Sequence, residues 1–151
     1  MCGICGFFYR DLQREIPLNV LDRMVDKMER RGPDDRGTFY NNKGALGHRR
    51  LTIIDLVGGQ QPMQSTDGKS FLVTNGEIYN YPELCNDYLS TISLESTSDT
   101  EVLLYLLKLK GAEAIPLLNG MFAFAFWDQT KQQVILARDP VGQKPLFYYI
   151  G

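Results

Sequence analysis

The sequence holds one histidine, His48, and three cysteines, Cys2, Cys5 and Cys85. Cys2 and Cys5 form a C-x-x-C pair, but no second pair follows, so a tetrahedral zinc site lacks ligands. An odd cysteine count without a disulfide framework is expected of reduced thiols in a cytoplasmic protein. A Cys–His catalytic pair has few ways to be built from a single histidine. Long apolar runs are missing too: the longest, "MFAFAFW", is far too short to cross a bilayer. The N-terminus lacks the basic and apolar regions of a secretory signal, and no membrane association is expected. Charge of neither sign accumulates, with 16 Lys+Arg against 18 Asp+Glu and a formal charge of -2. Without a basic stripe, nucleic acid is not an expected partner. Repeats, low-complexity stretches and linkers are absent as well, so residues 1–151 read as one domain.

The remaining 44% of hydrophobic residues are patterned for a packed core. "GICGFFY" reads as a buried strand. Leu18, Leu21, Met24, Val25 and Met28 share one face of a helix stopped by Gly32. "RGPDDRG" reads as a loop, and "GTFYNNKGALGHRRLTII" as a hairpin turning at Asn41–Gly44. "GGQQPMQSTDG" is a loop and "SFLVTNG" a strand, and Pro82 suits the first turn of a short helix. Ser98 and Glu101 form an S-x-x-E capping box ahead of an apolar run that Gly111 closes. In "GMFAFAFWD", Phe122, Phe124 and Phe126 point one way and Ala123, Ala125 and Trp127 the other. Both faces are apolar, which predicts a central strand covered on each side. "KQQVILARD" and "PLFYYI" predict two more strands. Two stacked antiparallel sheets flanked by helices satisfy this pattern.

Chemistry concentrates at the first residues. By itself, Cys2 also reads as a small apolar residue opening a strand. If Met1 is removed, however, one residue carries both a thiol, ordinarily titrating near ~8.5, and an α-amine near ~7.7–8.0. The amine is then a base within reach of the thiol, and a nucleophile is activated without a histidine. With Met1 retained, that nitrogen is an amide and cannot serve. A thiolate attacking a carboxamide generates an oxyanion, and in "NGEIYN" the Asn75 amide and the Gly76 N–H supply two donors at a strand end. A plain Asn-Gly turn is the competing reading. In "GHRRLTIID", strand alternation sends Arg49 and Arg50 to opposite faces, one to solvent and one to a pocket, where a guanidinium grips a carboxylate. His48 reads as a satisfied structural residue rather than a catalyst. Asp99 suits a helix first turn on its own account, and with Glu77 it also suits a substrate ammonium group.

The segments "MCGICG", "RGPDDRG", "GHRRLTIIDL", "GGQQPM", "NGEIYN", "SDTEVLL", "LNGMFAFAFWD" and "ARDPVGQKPLFYY" occur in the order of class II glutamine amidotransferases. The resemblance is to the asparagine-synthetase branch and runs from Cys2 to Tyr149. It implies an α+β, N-terminal-nucleophile hydrolase fold, a four-layer αββα sandwich of two antiparallel sheets, and hydrolysis of glutamine. Position by position it implies Cys2 as nucleophile with its own amine as base, and Asn75 and Gly76 as oxyanion donors. Arg50, rather than Arg49, would hold the substrate α-carboxylate. Asp99 and Glu77 would lie around the α-amino group, and main chain near Leu51 and Ile53 beside the substrate. The family commonly has His where Arg30 and Gln60 stand here. No cofactor is implied for this domain; ATP and magnesium would serve a C-terminal synthetase domain, the expected partner, and a homodimer is admitted. The chain reads as truncated at the C-terminus and without that domain. The alternatives are a relative with a sugar or peptide acceptor, and an inert amino-acid- or partner-binding module.

Overall fold

The computed structural model describes residues 1–10, 17–51 and 59–151. Along the chain these form β1 (Gly3–Phe8), α1 (Leu18–Lys27), β2 (Asp35–Tyr40), β3 (Gly44–Arg50), β4 (Met63–Gln64) and β5 (Ser70–Ile78). Then come α2 (Tyr81–Tyr88), α3 (Asp99–Lys110), a 3-10 helix (Gly111–Leu117), β6 (Gly120–Asp128) and β7 (Gln133–Arg138). The strands make two antiparallel sheets, of order β1-β3-β2 and β4-β5-β6-β7.

Strand alternation generates the layers. Ile4, Phe8 and Leu46 of the first sheet meet Phe71, Val73, Ala125 and Trp127 of the second in one cluster. Across that boundary Phe39 stacks on Phe71 with ring centroids 3.6 Å apart. The opposite face of the first sheet presents Ala45, Cys5 and Phe7 to Leu21 and Val25 of α1. The opposite face of the second presents Leu72, Phe122, Phe124 and Phe126 to α2 and α3. Helix, sheet, sheet and helix follow one another, the four-layer α+β sandwich expected from the sequence. β6 is the covered central strand that its two apolar faces predict, paired with β5 on one side and β7 on the other. Each of its fully buried phenylalanines contributes about 1.5–3 kcal/mol of burial.

α3 is buried continuously from Thr100 to Leu107, so its position is tightly determined. Ser98 caps it, its Oγ accepting from the Thr100 N–H at 3.2 Å. The reciprocal half of the capping box is not made. The Glu101 carboxylate instead accepts from the Glu95 and Ser96 N–H groups at 2.8 and 2.7 Å, which ties down the preceding loop. α1 ends at Lys27 rather than reaching Gly32, because the Met28 carbonyl takes the N–H groups of both Arg31 and Gly32 in a turn. β2 starts inside the segment read as a loop: Arg36 pairs with Asp22 and Asp26 of α1, which holds the strand from its first residues. The hairpin turns where expected, with Asn41 Oδ1 accepting from the Lys43 and Gly44 N–H groups at 2.8 Å each. The strand expected in "PLFYYI" does not form. Its backbone is irregular and Phe147, Tyr148, Tyr149 and Ile150 are exposed; no described strand lies beside it to accept the pairing.

Candidate functional site

The inner faces of the two sheets define where side chains can converge. On β3, Leu46 belongs to the inter-sheet cluster, so alternation turns His48 and Arg50 the same way and Arg49 outward. Arg49 is accordingly committed to α1, donating from Nε to the Val25 carbonyl at 3.3 Å and pairing with Asp26 at 3.5 Å. On β5, Phe71 and Val73 face inward, so Asn75 and Glu77 do as well. Asn75 is buried and Glu77 exposed at the strand end. Cys2 continues the inward side of β1 set by Ile4 and Phe8.

Cys2 is half-buried. Its Sγ lies 3.9 Å from the Leu51 carbonyl, and its own carbonyl accepts from Arg31 Nε at 3.4 Å. Met1 is attached in this structure, so the Cys2 nitrogen is a peptide amide. Gly76 has φ +153°, and a Cβ there would fall 1.9 Å from the Met121 carbonyl oxygen and 2.6 Å from the Phe122 Cα. Only glycine fits this close approach to β6. Asp99 opens α3, and its Oδ2 accepts from the Ile78 N–H at 2.8 Å. That bond docks the start of α3 against the end of β5, two residues from Gly76. A third approach is marked at Gly59, where a Cβ position would lie 3.5 Å from an Arg50 Nη and 3.7 Å from Ser98 Oγ. The Arg50 guanidinium and the Ser98 cap of α3 thus both border Gly59. The structure places an Arg50 Nη and the Ser98 cap of α3 about Gly59, Asp99 against the end of β5, and Cys2 against Leu51. Ile53 lies outside the described residues.

Two thiol and imidazole groups are set apart from such chemistry. Burial pushes the Cys5 thiol up to about 12, so it stays protonated and unreactive. Burial, outweighing a hydrogen bond to the Thr74 backbone, brings His48 down to about 4 with Arg50 adding to the effect. His48 is a neutral core residue at physiological pH, as its sequence position suggests. It is not fully satisfied, since Nε2 has no partner among the described residues.

A model of the glutamine amidotransferase domain matches residues 1–151. The chain belongs to the glutamine amidotransferase domain family. This amidotransferase domain is 42% identical over 150 residues to asparagine synthetase (glutamine-hydrolyzing) 2 of Bacillus subtilis, covering 98% of the chain and 20% of that protein. It is 37% identical over 150 residues to asparagine synthetase B (glutamine-hydrolyzing) of Escherichia coli, covering 97% of the chain and 26% of that protein. Among solved structures it resembles the glutamine phosphoribosylpyrophosphate amidotransferase of B. subtilis complexed with ADP and GMP. The TM-score is 0.53 at 31% identity, over 68% of this chain and 24% of that one. The chain spans a fifth to a quarter of the length of these curated relatives.

Two clefts meet at Gln60. One of about 230 Å³ lies between β2 and Gln60–Pro62, and one of about 280 Å³ lies between Gly59–Gln64 and Glu95–Tyr105. Gln60 borders both, whereas Cys2, Arg50, Asn75 and Asp99 line neither. No helix among the described residues is long and apolar enough to cross a membrane. Among those residues, no cluster of His, Cys, Asp and Glu could hold a metal ion. Two residues that reach the N-terminal residues escaped the sequence reading: Arg31, on the Cys2 carbonyl, and Lys144, on the Met1 sulfur. Both sit inside quoted motifs, "RGPDDRG" and "ARDPVGQKPLFYY", but only the fold shows that they meet the N-terminus.

Proposed function

We propose that this chain is the glutaminase domain of an asparagine-synthetase-like enzyme and that it acts after removal of Met1. The Cys2 α-amine takes the thiol proton, and the thiolate adds to the side-chain carbonyl carbon of glutamine. The resulting oxyanion is held by the Asn75 amide and the Gly76 N–H. The amine, now protonated, returns its proton to the departing nitrogen, the C–N bond breaks, and ammonia leaves. Water then attacks the γ-glutamyl thioester with the amine again as base, releasing glutamate and the free thiol. Arg50 holds the α-carboxylate of the substrate, and Asp99 and Glu77 hold its α-ammonium group. Main chain at Leu51 lies beside the substrate.

What supports this reading is the family together with three local contacts, Cys2 Sγ on the Leu51 carbonyl, Asp99 on the Ile78 N–H, and Arg50 with Ser98 about Gly59. Cys2 comes from the start of β1, Arg50 from the end of β3, Asn75 and Gly76 from β5, and Asp99 from the first turn of α3. An arginine and a pair of carboxylates suit the two charges of a zwitterionic amino acid. The hydrolysis needs no cofactor. In a longer polypeptide the ammonia would pass to a C-terminal synthetase domain that adenylates a carboxylate, aspartate in the proposed case, with ATP and magnesium, in the cytoplasm.

The test is ammonia release from glutamine by a chain whose N-terminus is Cys2, compared with Cys2→Ala and with a chain in which Met1 is retained. Ammonia from the first alone supports the reading. Equal release from all three ends it.

A further inference from the structure

Gly32 is not needed as a helix stop, because α1 ends at Lys27 with Met28 as its C-cap. Nor does a left-handed backbone require it, since Gly32 is not among the glycines with positive φ. What requires glycine is a close approach. Gly32 is buried between exposed Arg31 and Pro33. A Cβ there would fall 2.4 Å from the Arg49 carbonyl carbon, 2.5 Å from its oxygen and 2.5 Å from the Arg50 nitrogen. All three atoms are main chain, so none can swing aside. The turn that carries Gly32 is fastened at both ends. The N–H groups of Arg31 and Gly32 donate to the Met28 carbonyl at 2.9 and 3.3 Å, and the Asp34 N–H donates to the Arg50 carbonyl at 3.0 Å. The same turn meets the start of β1. Met28 Sδ lies 2.8 Å from the Cβ position of Gly3, and Arg31 Nε donates to the Cys2 carbonyl. Residues 28–34 therefore seat two strand ends at once, β1 at Cys2–Gly3 and β3 at Arg49–Arg50.

We propose that Gly32 is a positioning residue for Arg50: the missing side chain lets the turn after α1 seat the Arg49–Arg50 peptide where the Arg50 guanidinium can take the α-carboxylate of glutamine. This inference rests on the glutaminase reading given above. Ordinary carbon contacts begin near ~3.5 Å, so an added methyl forces turn and strand apart by roughly 1 Å. The strand end is the side that gives. The turn is tied to the end of α1 through the Met28 carbonyl, and Met28 itself lies against Gly3. Arg50, by contrast, is the last residue of β3 and pairs with Asp35, the first residue of β2. A displacement of about 1 Å in a substrate-positioning group is enough to cost about 10²-fold. Arg49 shares the shifted peptide, but its side chain is committed to Val25 and Asp26 of α1. Gly32 touches no substrate atom in this scheme; it acts through the Arg50 backbone.

The experiment measures kcat and KM for ammonia release by the complete polypeptide from glutamine and from γ-aminobutyramide, the same carboxamide without an α-carboxylate. Wild type, Gly32→Ala, Arg50→Ala and the double variant are compared, with removal of Met1 verified by mass and each assayed below its own melting midpoint. Gly32→Ala should raise KM for glutamine by about 10–100-fold with little change in kcat. Its kcat/KM for γ-aminobutyramide should match wild type, and adding Gly32→Ala to Arg50→Ala should cost nothing further for glutamine. If γ-aminobutyramide does not turn over, the double variant decides alone. An unchanged KM, an equal loss on both substrates or an additive double variant overturns the proposal and leaves the glutaminase reading intact. If Gly32→Ala has no folded state, the turn serves the fold rather than the site and the proposal also fails. Ammonia release by Cys2→Ala equal to wild type would instead refute the underlying reading.

Discussion

Gly76 gives the sharpest quantitative prediction. Its φ of +153° and a Cβ position 1.9 Å from the Met121 carbonyl oxygen impose two separate costs on Gly76→Ala. Backbone strain costs about 1–3 kcal/mol. The contact costs about 1–3 kcal/mol more, because the obstructing atoms are the main chain of central strand β6 and cannot swing aside. At ~2–4 °C per kcal/mol for a chain of this size, the midpoint should fall by roughly 10 °C. Gly111→Ala is the control: φ is +61°, and nothing lies within 4 Å of the added methyl. It should lose only the strain, about 1–3 kcal/mol. Calorimetric melts of both variants decide the matter. If Gly76→Ala melts with the wild type, or no lower than Gly111→Ala, the close approach of β5 to β6 is not what requires glycine. Below its melting point, Gly76→Ala should also lose about 10²–10³ in kcat for ammonia release, since separating β5 from β6 would shift the proposed oxyanion donor.

The remaining predictions address stability and specificity. His48 titrates near 4 when folded against about 6.5 when free, so below pH 6.5 the unfolded chain binds a proton that the folded one refuses. The native state should lose about 3 kcal/mol between pH 6.5 and pH 4 from this group; denaturant titrations should show His48→Gln losing less over that window, and parallel losses would contradict the assignment. Ser98→Ala removes the α3 cap and should cost about 1 kcal/mol in the same assay; no change would show the cap to be dispensable. Arg50→Ala should raise KM for glutamine by roughly 10–100-fold through loss of a charge-assisted bond of about 1.5–3 kcal/mol. Arg49→Ala should leave KM unchanged, because Arg49 is turned to α1; steady-state kinetics showing the reverse order would exchange their roles.

Where periodicity and burial coincide, the fold could be read from the residues. β6 is apolar on both faces because it is covered on both, and α3 has a cap and a glycine stop that isolate its boundaries. "PLFYYI" misled because an apolar run predicts a strand only if a partner strand is present, and Phe147–Ile150 have none among the described residues. The capping box was half right because Glu101 found three donors in the upstream loop that outcompete the single Ser98 N–H. The beginning of β2 was hidden because its early residues are held by ion pairs to α1, which carry no local periodicity. For the site, residue types and the order of the motifs were legible. Which arginine turns inward depended on alternation, and its neighbours depended on register. The approach of Lys144 to Met1 joins the two ends of the chain, and no local pattern encodes it.

The most direct measurement of the central claim is intact-protein and peptide mass spectrometry after exposure to an electrophilic diazoketone analogue of glutamine. The account predicts one adduct, on an N-terminal Cys2 from which Met1 is gone, suppressed by excess glutamine. An unmodified Cys2, or labelling that falls on Cys5 or Cys85 and ignores glutamine, would contradict it.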